Sequence, residues 1–377
     1  MILQHAGIPV KGASSLKGRT RRARRRTKRA SLIKKASKQR ARRRPTSTVM
    51  EQQRSEHPSL VKPLRCIVKL GGAAITCKND LEKINETHLE MVATQLRQVM
   101  ISGSSSSKVP GMDWSKRNGK LGISVNVDNY QELSESSSFI VVHGAGSFGH
   151  FQASQSGVHK GGLERPIVKA GFVATRISVS TLNLEVVRAL AREGLPSLGL
   201  SPFSCGWSTR GKNIASANLS TVAKALDSGF IPVLHGDAVL DELQGCTILS
   251  GDVIIRHLAE HLKPDYVVFL TDVSGVYDRP PTEPDAVLLK EIAVREDGSW
   301  SVVKPPLEDN HVKMTAAAHD TTGGMETKIS EAAIIAKLGI DVYIVQAATT
   351  HSIRALSGEL KGNIPDDWLG TAIRFAG

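Results

Sequence analysis

The stretch Cys66-Ile-Val-Lys-Leu-Gly-Gly72 contains the pattern that decides the fold. Its mainly apolar residues run directly into two glycines, which is typical of a buried strand followed by a tight turn. Phe139-Ile-Val-Val142 repeats the pattern and also runs into glycines. Three more apolar runs of similar length predict further buried strands, namely Ile231-Pro-Val-Leu234, Tyr266-Val-Val-Phe-Leu270 and Val342-Tyr-Ile-Val345.

Segments with helical spacing of their apolar residues lie between these strands. The spacing predicts helices over 81–101, 167–193, 215–228, 252–262 and 327–338. Alternating strands and helices predict an α/β fold, a three-layer αβα sandwich with a mainly parallel central sheet. In such sheets ligands bind beyond the carboxyl ends of the strands, so we expect functional residues in the glycine-rich loops that follow them.

The charge of the chain is concentrated at its beginning. The 377 residues have a net charge of +13, but residues 1–50 contain 17 Lys or Arg and no Asp or Glu, so the remainder has a net charge of −4. This composition predicts a disordered basic extension over residues 1–62 and a folded domain over 63–377. Charge therefore does not indicate a nucleic-acid surface on the folded domain.

Three interpretations of the basic extension stay open. It is a solvated tail without a fixed role, an organelle transit peptide, or a nuclear or nucleic-acid-binding segment built on Arg21–Arg29 and Arg40–Arg44. Met50 stands where the composition becomes ordinary, so a product that starts there would lose the extension and none of the core.

Other features bound the class of protein. Residues 102–138 are rich in Ser and Gly without periodicity, which predicts an inserted surface loop. The four cysteines are widely spaced, which favours reduced thiols over a metal site. No apolar run approaches the roughly 18–20 residues of a membrane helix. We expect a cytoplasmic protein without a membrane span, in which organelle or nuclear targeting would depend on the basic extension.

The first candidate loop is Lys69-Leu-Gly-Gly-Ala-Ala-Ile-Thr-Cys-Lys78. Two glycines after a strand let the backbone approach a ligand closely, with N–H groups directed at phosphate oxygens. Lys69 lies inside the apolar strand, where a cation is costly unless it meets an anion. The alternative is a surface lysine whose stem is buried and whose ammonium group reaches water.

The second candidate loop, His143-Gly-Ala-Gly-Ser-Phe-Gly-His150, contains the G-x-G-x-x-G spacing of dinucleotide sites. Such a site also needs a strand that ends in an acidic residue about 20 positions later. Residues 161–166 are instead typical of a loop, so these glycines more plausibly bind a phosphate. His150 follows the turn and is placed to donate to a dianionic phosphate; the alternative is a structural histidine.

The third candidate region joins His235-Gly-Asp237 with Leu249-Ser-Gly-Asp252, which opens a helix. Either aspartate also fits a helix N-cap. The fourth joins Leu270-Thr-Asp-Val-Ser-Gly-Val-Tyr-Asp278 with Thr321-Thr-Gly-Gly-Met-Glu-Thr-Lys328. The latter places two glycines before a helix with Lys328 in its first turn, which is an arrangement suited to anions.

Two large kinase classes are excluded by their motifs. The sequence has no G-x-x-x-x-G-K-[ST] and neither H-R-D-x-x-x-x-N nor D-F-G. Three lysines and several glycine turns remain, and phosphoryl transfer requires mainly positioning and charge neutralisation. One lysine about 4 Å from a phosphate charge contributes about 4 kcal/mol at an effective dielectric constant near 20.

Taken in order, four motifs resemble those of the amino-acid-kinase superfamily: Lys69-Leu-Gly-Gly-Ala73, Val142-His-Gly-Ala-Gly146, Leu270-Thr-Asp-Val-Ser-Gly-Val-Tyr277 and Gly323-Gly-Met-Glu-Thr-Lys328. The resemblance covers about residues 65–376. Within the superfamily, the run from Gly144 to His150, with Lys78 nine residues after Lys69, resembles the isopentenyl phosphate kinases. The second glycine of that family is Ala145 here, which should crowd the substrate phosphate slightly.

The resemblance implies phosphorylation of isopentenyl phosphate to isopentenyl diphosphate by direct in-line transfer, with ATP and Mg²⁺, in a homodimer. It implies an acceptor-binding part over about 63–235 and an ATP-binding part over about 236–377. The implied catalytic residues are Lys69, Lys78, His150, Asp252 and Lys328, with Asp252 holding the lysines in place. The implied ATP site is Lys69, Gly71, Gly72, Ala73, Gly146, Asp272, Gly275, Tyr277, Gly323, Gly324 and Lys328. The implied substrate site is Gly144, Ala145, Gly146, His150 and Gly236, with the apolar tail against Ile177, Leu182 and Val186.

Alternative functions stay open at this point. One is a small-molecule kinase of the same fold that acts on a carboxylate or a nucleoside monophosphate. Another is a nucleic-acid-binding protein that acts through its Arg-rich extension. A third is a dinucleotide-dependent oxidoreductase, which the glycine spacing of residues 144–149 would favour.

Overall fold

A computed structural model describes residues 60, 63–101, 112, 138–306 and 324–377 of the chain. Apart from Leu60, the predicted basic extension over 1–62 lies outside the described residues. The same holds for the predicted inserted loop over 102–138, apart from Met112 and Ser138, and for Gly323. None of the helices in the described ranges has the length and apolar character needed to cross a membrane.

The described strands, in chain order, are β1 Cys66–Leu70, β2 Phe139–His143, β3 Ser197–Leu200, β4 Ser208–Arg210, β5 Asn213–Ser216, β6 Ile231–His235, β7 Asp237–Asp241, β8 Gly245–Leu249, β9 Tyr266–Thr271, β10 Glu291–Val294, β11 Trp300–Lys304, β12 Asp341–Gln346 and β13 Thr371–Phe375. The α-helices are α1 Gly72–Ile75, α2 Glu86–Met100, α3 Gly146–Ser156, α4 Pro166–Arg192, α5 Ser220–Asp227, α6 Gly251–Leu262, α7 Gly324–Ala336 and α8 Thr350–Ser357.

The five predicted strands form the centre of a nine-stranded sheet. Its order is β11-β10-β13-β12-β9-β1-β2-β6-β3, and the stretch from β12 to β3 is parallel throughout. Every residue of β1, β2, β6 and β9 is buried. Parallel strands covered on both faces are expected to be continuously apolar, which is why the sequence predicted these strands.

Helices cover both faces of the sheet, and alternate residues of β1 show the two layers. Val68 and Leu70 belong to a core cluster that includes residues of α2, α4 and α8. Ile67 belongs to a second cluster, which includes residues of α5, α6 and α7. The predicted three-layer αβα sandwich is therefore confirmed. Because side chains alternate along a strand, Lys69 shares the face of Ile67, on the side of α6.

A second sheet of four strands, in the order β5-β4-β7-β8, was not predicted. Its strands β4 and β5 are short and mostly polar, so they carry no apolar run. The predicted helix over 215–228 is wrong at its beginning, because Ala215 and Ser216 belong to β5 and α5 begins at Ser220. The interior of the second sheet gains its burial from tertiary packing rather than from local sequence.

The predicted helix over 81–101 also begins later than expected. Helix α2 begins at Glu86, and the Asn85 side chain accepts a hydrogen bond from the His88 N–H at 3.3 Å. Upstream of this cap, Ile84 forms a β-bridge with Thr76. Apolar spacing continues through residues 81–84, but Asn85 ends the extended segment and caps the helix.

Candidate active site

A cleft lies beyond the carboxyl ends of β1, β2, β6 and β9, with about 850 Å³ of empty space measured to its open mouth. Its lining includes predicted site residues from all four candidate regions: Lys69, Gly71, Gly72, Ala73, Gly144, Ala145, Gly146, His150, Gly236, Asp252, Asp272 and Lys328. Among the described residues, Lys78, Gly275 and Tyr277 do not line it.

The two glycine turns at the back of the cleft touch each other. A Cβ atom added to Gly72 would lie 2.4 Å from the Gly146 nitrogen, so no side chain fits there. Gly146 also has φ +51, a conformation that favours glycine. Thr76 Oγ1 accepts a hydrogen bond from the Ser147 N–H at 3.2 Å and donates to the Gly72 carbonyl at 2.8 Å. Both turns are thereby fixed in place.

A buried ion pair lies beside these turns. Lys69 Nζ is 2.9 Å from Asp252 Oδ1, and the two residues are only 5% and 6% exposed. Lys69 is therefore not a surface lysine with its ammonium group in water. Asp252 is not the N-cap of α6 either, because the Ser250 side chain accepts from the Val253 N–H at 3.2 Å. Both structural alternatives raised by the sequence are wrong for these residues.

A second ion pair lies at the mouth of the cleft. Lys78 Nζ is 2.6 Å from Asp272 Oδ2, with side chains 64% and 37% exposed. Asp272 lines the cleft, whereas Lys78 reaches it only through this pair. The expectation that Asp252 holds the lysines in place therefore applies to Lys69 and is wrong for Lys78, which Asp272 holds.

Lys328 reaches the cleft from α7. This helix begins at Gly324, so Lys328 is its fifth residue and lies in the second turn rather than the predicted first turn. Lys328 lines the cleft together with Lys69 and Asp252. Three separate elements, β1, α6 and α7, therefore bring charged side chains to one space.

Two neutral histidines lie behind the glycine turns of the cleft. His143 and His235, at the ends of β2 and β6, stack with ring centroids 5.5 Å apart. Asn183 Nδ2 donates to His143 Nε2 at 3.1 Å, so the His143 Nδ1–H donates to the Gly144 carbonyl at 2.9 Å. Burial lowers the pKa of His143 to about 3, and it also lowers the pKa of His235. Sequence analysis did not predict that these two histidines stack. The signal that could have indicated it is a His-Gly pair at the end of each of two neighbouring strands.

Asp237 is held by a dense network at the edge of the cleft. Its Oδ1 accepts from Arg176 Nε at 3.2 Å, and its Oδ2 accepts from Ser201 Oγ at 2.8 Å and from the Phe203 N–H at 3.2 Å. The Arg176 guanidinium lies 4.1 Å from the centroid of the Phe203 ring. Asp237 begins strand β7, so the N-cap interpretation is wrong for it as well. Arg176, inside a long helix, was not identified from the sequence.

The apolar part of the cleft differs from the prediction. Leu182 and Val186 are fully buried in the core between α4 and the sheet, and Ile177 is 64% exposed. The prediction that these residues face a substrate tail is therefore wrong. The residues of this part of the cleft lie one helical turn earlier on α4 and on neighbouring elements: Ala153, Thr175, Val179, Ile248 and Leu249.

Two predicted ATP-site residues pack elsewhere. A Cβ atom on Gly275 would lie 2.6 Å from Thr371 Oγ1, so this glycine permits close packing against β13. Tyr277 forms a β-bridge with Leu288. Neither residue lines the cleft, and their assignment to an ATP site stays a prediction.

The dinucleotide alternative loses its support. After the glycine turn the chain continues through α3 and a turn at residues 161–165, and α4 begins at Pro166. The position where a dinucleotide site needs a strand with a terminal acidic residue therefore holds a turn and a helix.

Comparison with known proteins assigns the family. Residues 64–346 match the family model described as "Amino acid kinase family". The chain belongs to the amino acid kinase family. Within it, the chain groups with the isopentenyl phosphate kinases: it is 74% identical over 321 residues to the isopentenyl phosphate kinase of Arabidopsis thaliana, covering 84% of this chain and 97% of that protein.

More distant relatives carry the same name. The chain is 33% identical over 303 residues to the isopentenyl phosphate kinase of Methanothermobacter thermautotrophicus, covering 78% of this chain and 95% of that protein. A crystal structure described as an isopentenyl phosphate kinase superposes with a TM-score of 0.58 at 29% identity, covering 78% of this chain and 96% of that one. The sequence-based assignment to this family is confirmed.

Proposed function

We propose that the chain transfers the terminal phosphoryl group of ATP to isopentenyl phosphate and forms isopentenyl diphosphate. The observation that carries the proposal is the convergence of Lys69, Lys328 and His150 on one cleft walled by glycine turns. The 74% identical relative named isopentenyl phosphate kinase supports this acceptor. Direct in-line transfer needs no covalent intermediate, since positioning and charge neutralisation supply the catalysis.

Each part of the cleft has a distinct role in this proposal. Lys69 and Lys328 neutralise the transferring phosphoryl group, and Asp252 keeps the Lys69 ammonium group at its position. The acceptor phosphate lies at the first turn of α3, where the helix N-terminus and His150 favour an anion. Lys78 assists from the mouth of the cleft. We place ATP against Gly71, Gly72 and Asp272, and the prenyl chain against Ala153, Val179 and Ile248.

The carboxylates of the cleft fit a Mg²⁺ ion that enters with ATP. Asp252 is engaged by Lys69, and Asp237 is engaged by Arg176 and Ser201, so neither is a spare ligand. Asp272 is also paired, with Lys78, but that pair is exposed to solvent and can rearrange when ATP enters, so Asp272 is the residue we expect nearest the ion. Mg²⁺ is commonly held by substrate phosphates with one or two carboxylates, and it would neutralise phosphate charge there.

We further propose a cytoplasmic homodimer. Helix α4 exposes apolar side chains along its length, at Ile167, Val173, Ile177 and Leu184. Exposed apolar patches of this kind commonly mark association surfaces. Light scattering coupled to gel filtration should give the mass of two chains, and the mass of one chain would contradict the dimer.

The test of the proposed reaction is ADP release by the purified chain. With isopentenyl phosphate we expect rapid turnover, and with N-acetylglutamate, aspartate or UMP only slow turnover. Equal turnover with a carboxylate acceptor would overturn the acceptor assignment and leave the family intact. The Lys69→Met variant serves as the matched blank for contaminating activities, because it removes the buried cation.

A further inference from the structure

A group of potential metal ligands lies at the far end of α6, away from the cleft. His257, Glu260 and His261 occupy positions i, i+3 and i+4 of the helix, so their side chains share one face. One ligand atom from each residue lies within 4.8 Å of the other two. Asp252 and His261 are nine residues apart, or about 13 Å along the helix axis, so this group is separate from the cleft.

Hydrogen bonding already orients one of the two imidazoles. His261 Nδ1 lies 2.8 Å from the backbone carbonyl of His257, and a carbonyl can only accept. The proton is therefore on Nδ1, and the lone pair of Nε2 points away from the backbone. Histidines that bind metals usually donate their other N–H in this way, often to a backbone carbonyl.

The second imidazole is held by packing rather than by hydrogen bonds. The His257 ring lies edge-on to Trp207 with 5.7 Å between centroids, and 4.2 Å from the His261 centroid. Within the described part of the chain, the His257 ring nitrogens have no hydrogen-bond partner. The neighbouring cation Arg256 is directed to Glu331, with 2.6 Å between Nε and Oε2. Its charge is thereby partly compensated near the group.

We propose that His257, Glu260 and His261 form a binding site for a borderline divalent transition metal such as Zn²⁺. Two imidazoles and one carboxylate are a common zinc donor set, and a water or external ligand would complete a tetrahedron. Bonds of about 2.0–2.1 Å place tetrahedral ligands about 3.3 Å apart, which side-chain rotations on one helix face can reach from the present spacing. The imidazole nitrogen donors disfavour Mg²⁺, which prefers oxygen ligands, so this site does not compete for the cation that accompanies ATP.

The proposal is tested by metal titration of the full chain after removal of metals, without ATP. Co²⁺ serves as the probe because its absorption reports tetrahedral coordination, and calorimetry with Zn²⁺ gives the affinity. We expect one site per chain, affinity weakened about tenfold or more in His261→Ala, and a smaller loss in Glu260→Gln. His88→Ala, which alters a helical histidine elsewhere, should bind like the wild type.

Fluorescence gives a second readout that locates the ion. Bound Co²⁺ should quench the emission of Trp207, and this quenching should disappear in Trp207→Phe and in His261→Ala. ADP release by His261→Ala should equal that of the wild type, which verifies its folding. Equal metal affinity in wild type and His261→Ala, or undiminished quenching in Trp207→Phe, would overturn the site.

Discussion

The floor and the mouth of the cleft each hold a lysine–aspartate pair, but the two pairs lie in different surroundings. At the floor, Lys69 and Asp252 have side chains 6% and 8% exposed; at the mouth, Lys78 and Asp272 have side chains 64% and 37% exposed. The N–O distances are similarly short. Short distance alone therefore does not set the strength of an ion pair, because water and salt screen the pair at the mouth and not the pair at the floor.

The difference indicates that the two pairs have different roles in the cleft. The floor is fixed before any substrate arrives, since the glycine turns touch and Asp252 holds the Lys69 ammonium group. Preorganised charge in a site from which water is excluded is the most effective electrostatic contribution to catalysis. The mouth holds a charge that is free to rearrange when ligands enter. The following predictions test this comparison.

The largest effect is expected at the floor. Lys69→Met should lower kcat by about 10²–10³-fold at saturating substrates, because it removes the preorganised cation. It should also lower the free energy of unfolding, since Asp252 is left buried without its partner. Steady-state ADP release and thermal unfolding measure the two effects. Lys224→Met, which alters an exposed lysine, is the control. An unchanged kcat in Lys69→Met would contradict the claim that the buried pair at the floor contributes most to catalysis.

The second effect concerns the acceptor side of the floor. His150→Ala should lower kcat/KM for isopentenyl phosphate by about 10–100-fold, the range expected for a lost hydrogen bond to a charged group. The KM for ATP should change little. His150→Gln, which retains a donor, should recover part of the loss. A kcat/KM equal to that of the wild type would make His150 a structural residue.

The third effect is a loss of stability in acid, caused by the neutral histidines behind the floor. The folded-state pKa of His143 is about 3, with Lys69 and His235 facing it, so below pH 6.5 protons bind the unfolded chain preferentially. The contribution of neutral His143 to the free energy of unfolding is therefore fully present above pH 6.5, and it is lost as the pH falls toward 3. The free energy of unfolding should drop by about 2 kcal/mol at pH 5 from this group. Denaturant titrations measure it, and His143→Gln should flatten the slope; a slope identical to that of the wild type would refute this cause.

The smallest effect is expected at the mouth. Lys78→Ala should lower kcat by about tenfold or less, and the free energy of unfolding should change by less than about 1 kcal/mol, because exposed pairs are weak. The loss should shrink at high ionic strength, where screening already weakens the wild type. A kcat loss as large as that of Lys69→Met would show that burial does not distinguish the two lysines.

The sequence predicted the centre of the fold better than its edges, and the reason is burial. Strands β1, β2, β6, β9 and β12 are covered on both faces and read as continuous apolar runs. The four-stranded sheet consists of two hairpins, β4–β5 and β7–β8, which pair through β4 and β7. Strands β4 and β5 are short and mostly polar, so no apolar run marks them in the sequence.

The site shows the same limit. Lys69 lies near the carboxyl end of β1, and the glycine turns, His150 and Asp252 come after the ends of strands, where ligands of such sheets bind. Arg176, Asn183 and Val179 lie inside α4, where nothing local distinguishes a residue facing the cleft from one facing the core. For this reason the sequence placed the prenyl tail against Leu182 and Val186, which are buried in the core, whereas Val179, about one helical turn before Leu182, lines the cleft.

The most direct test of the central claim is a crystal structure with a non-hydrolysable ATP analogue and isopentenyl phosphate. We expect Lys69 Nζ and Lys328 Nζ within hydrogen-bonding distance of the same terminal phosphoryl group, with the acceptor phosphate at the first turn of α3 beside His150. A nucleotide bound outside the cleft, or a Lys69 that contacts only Asp252 in that complex, would contradict the account.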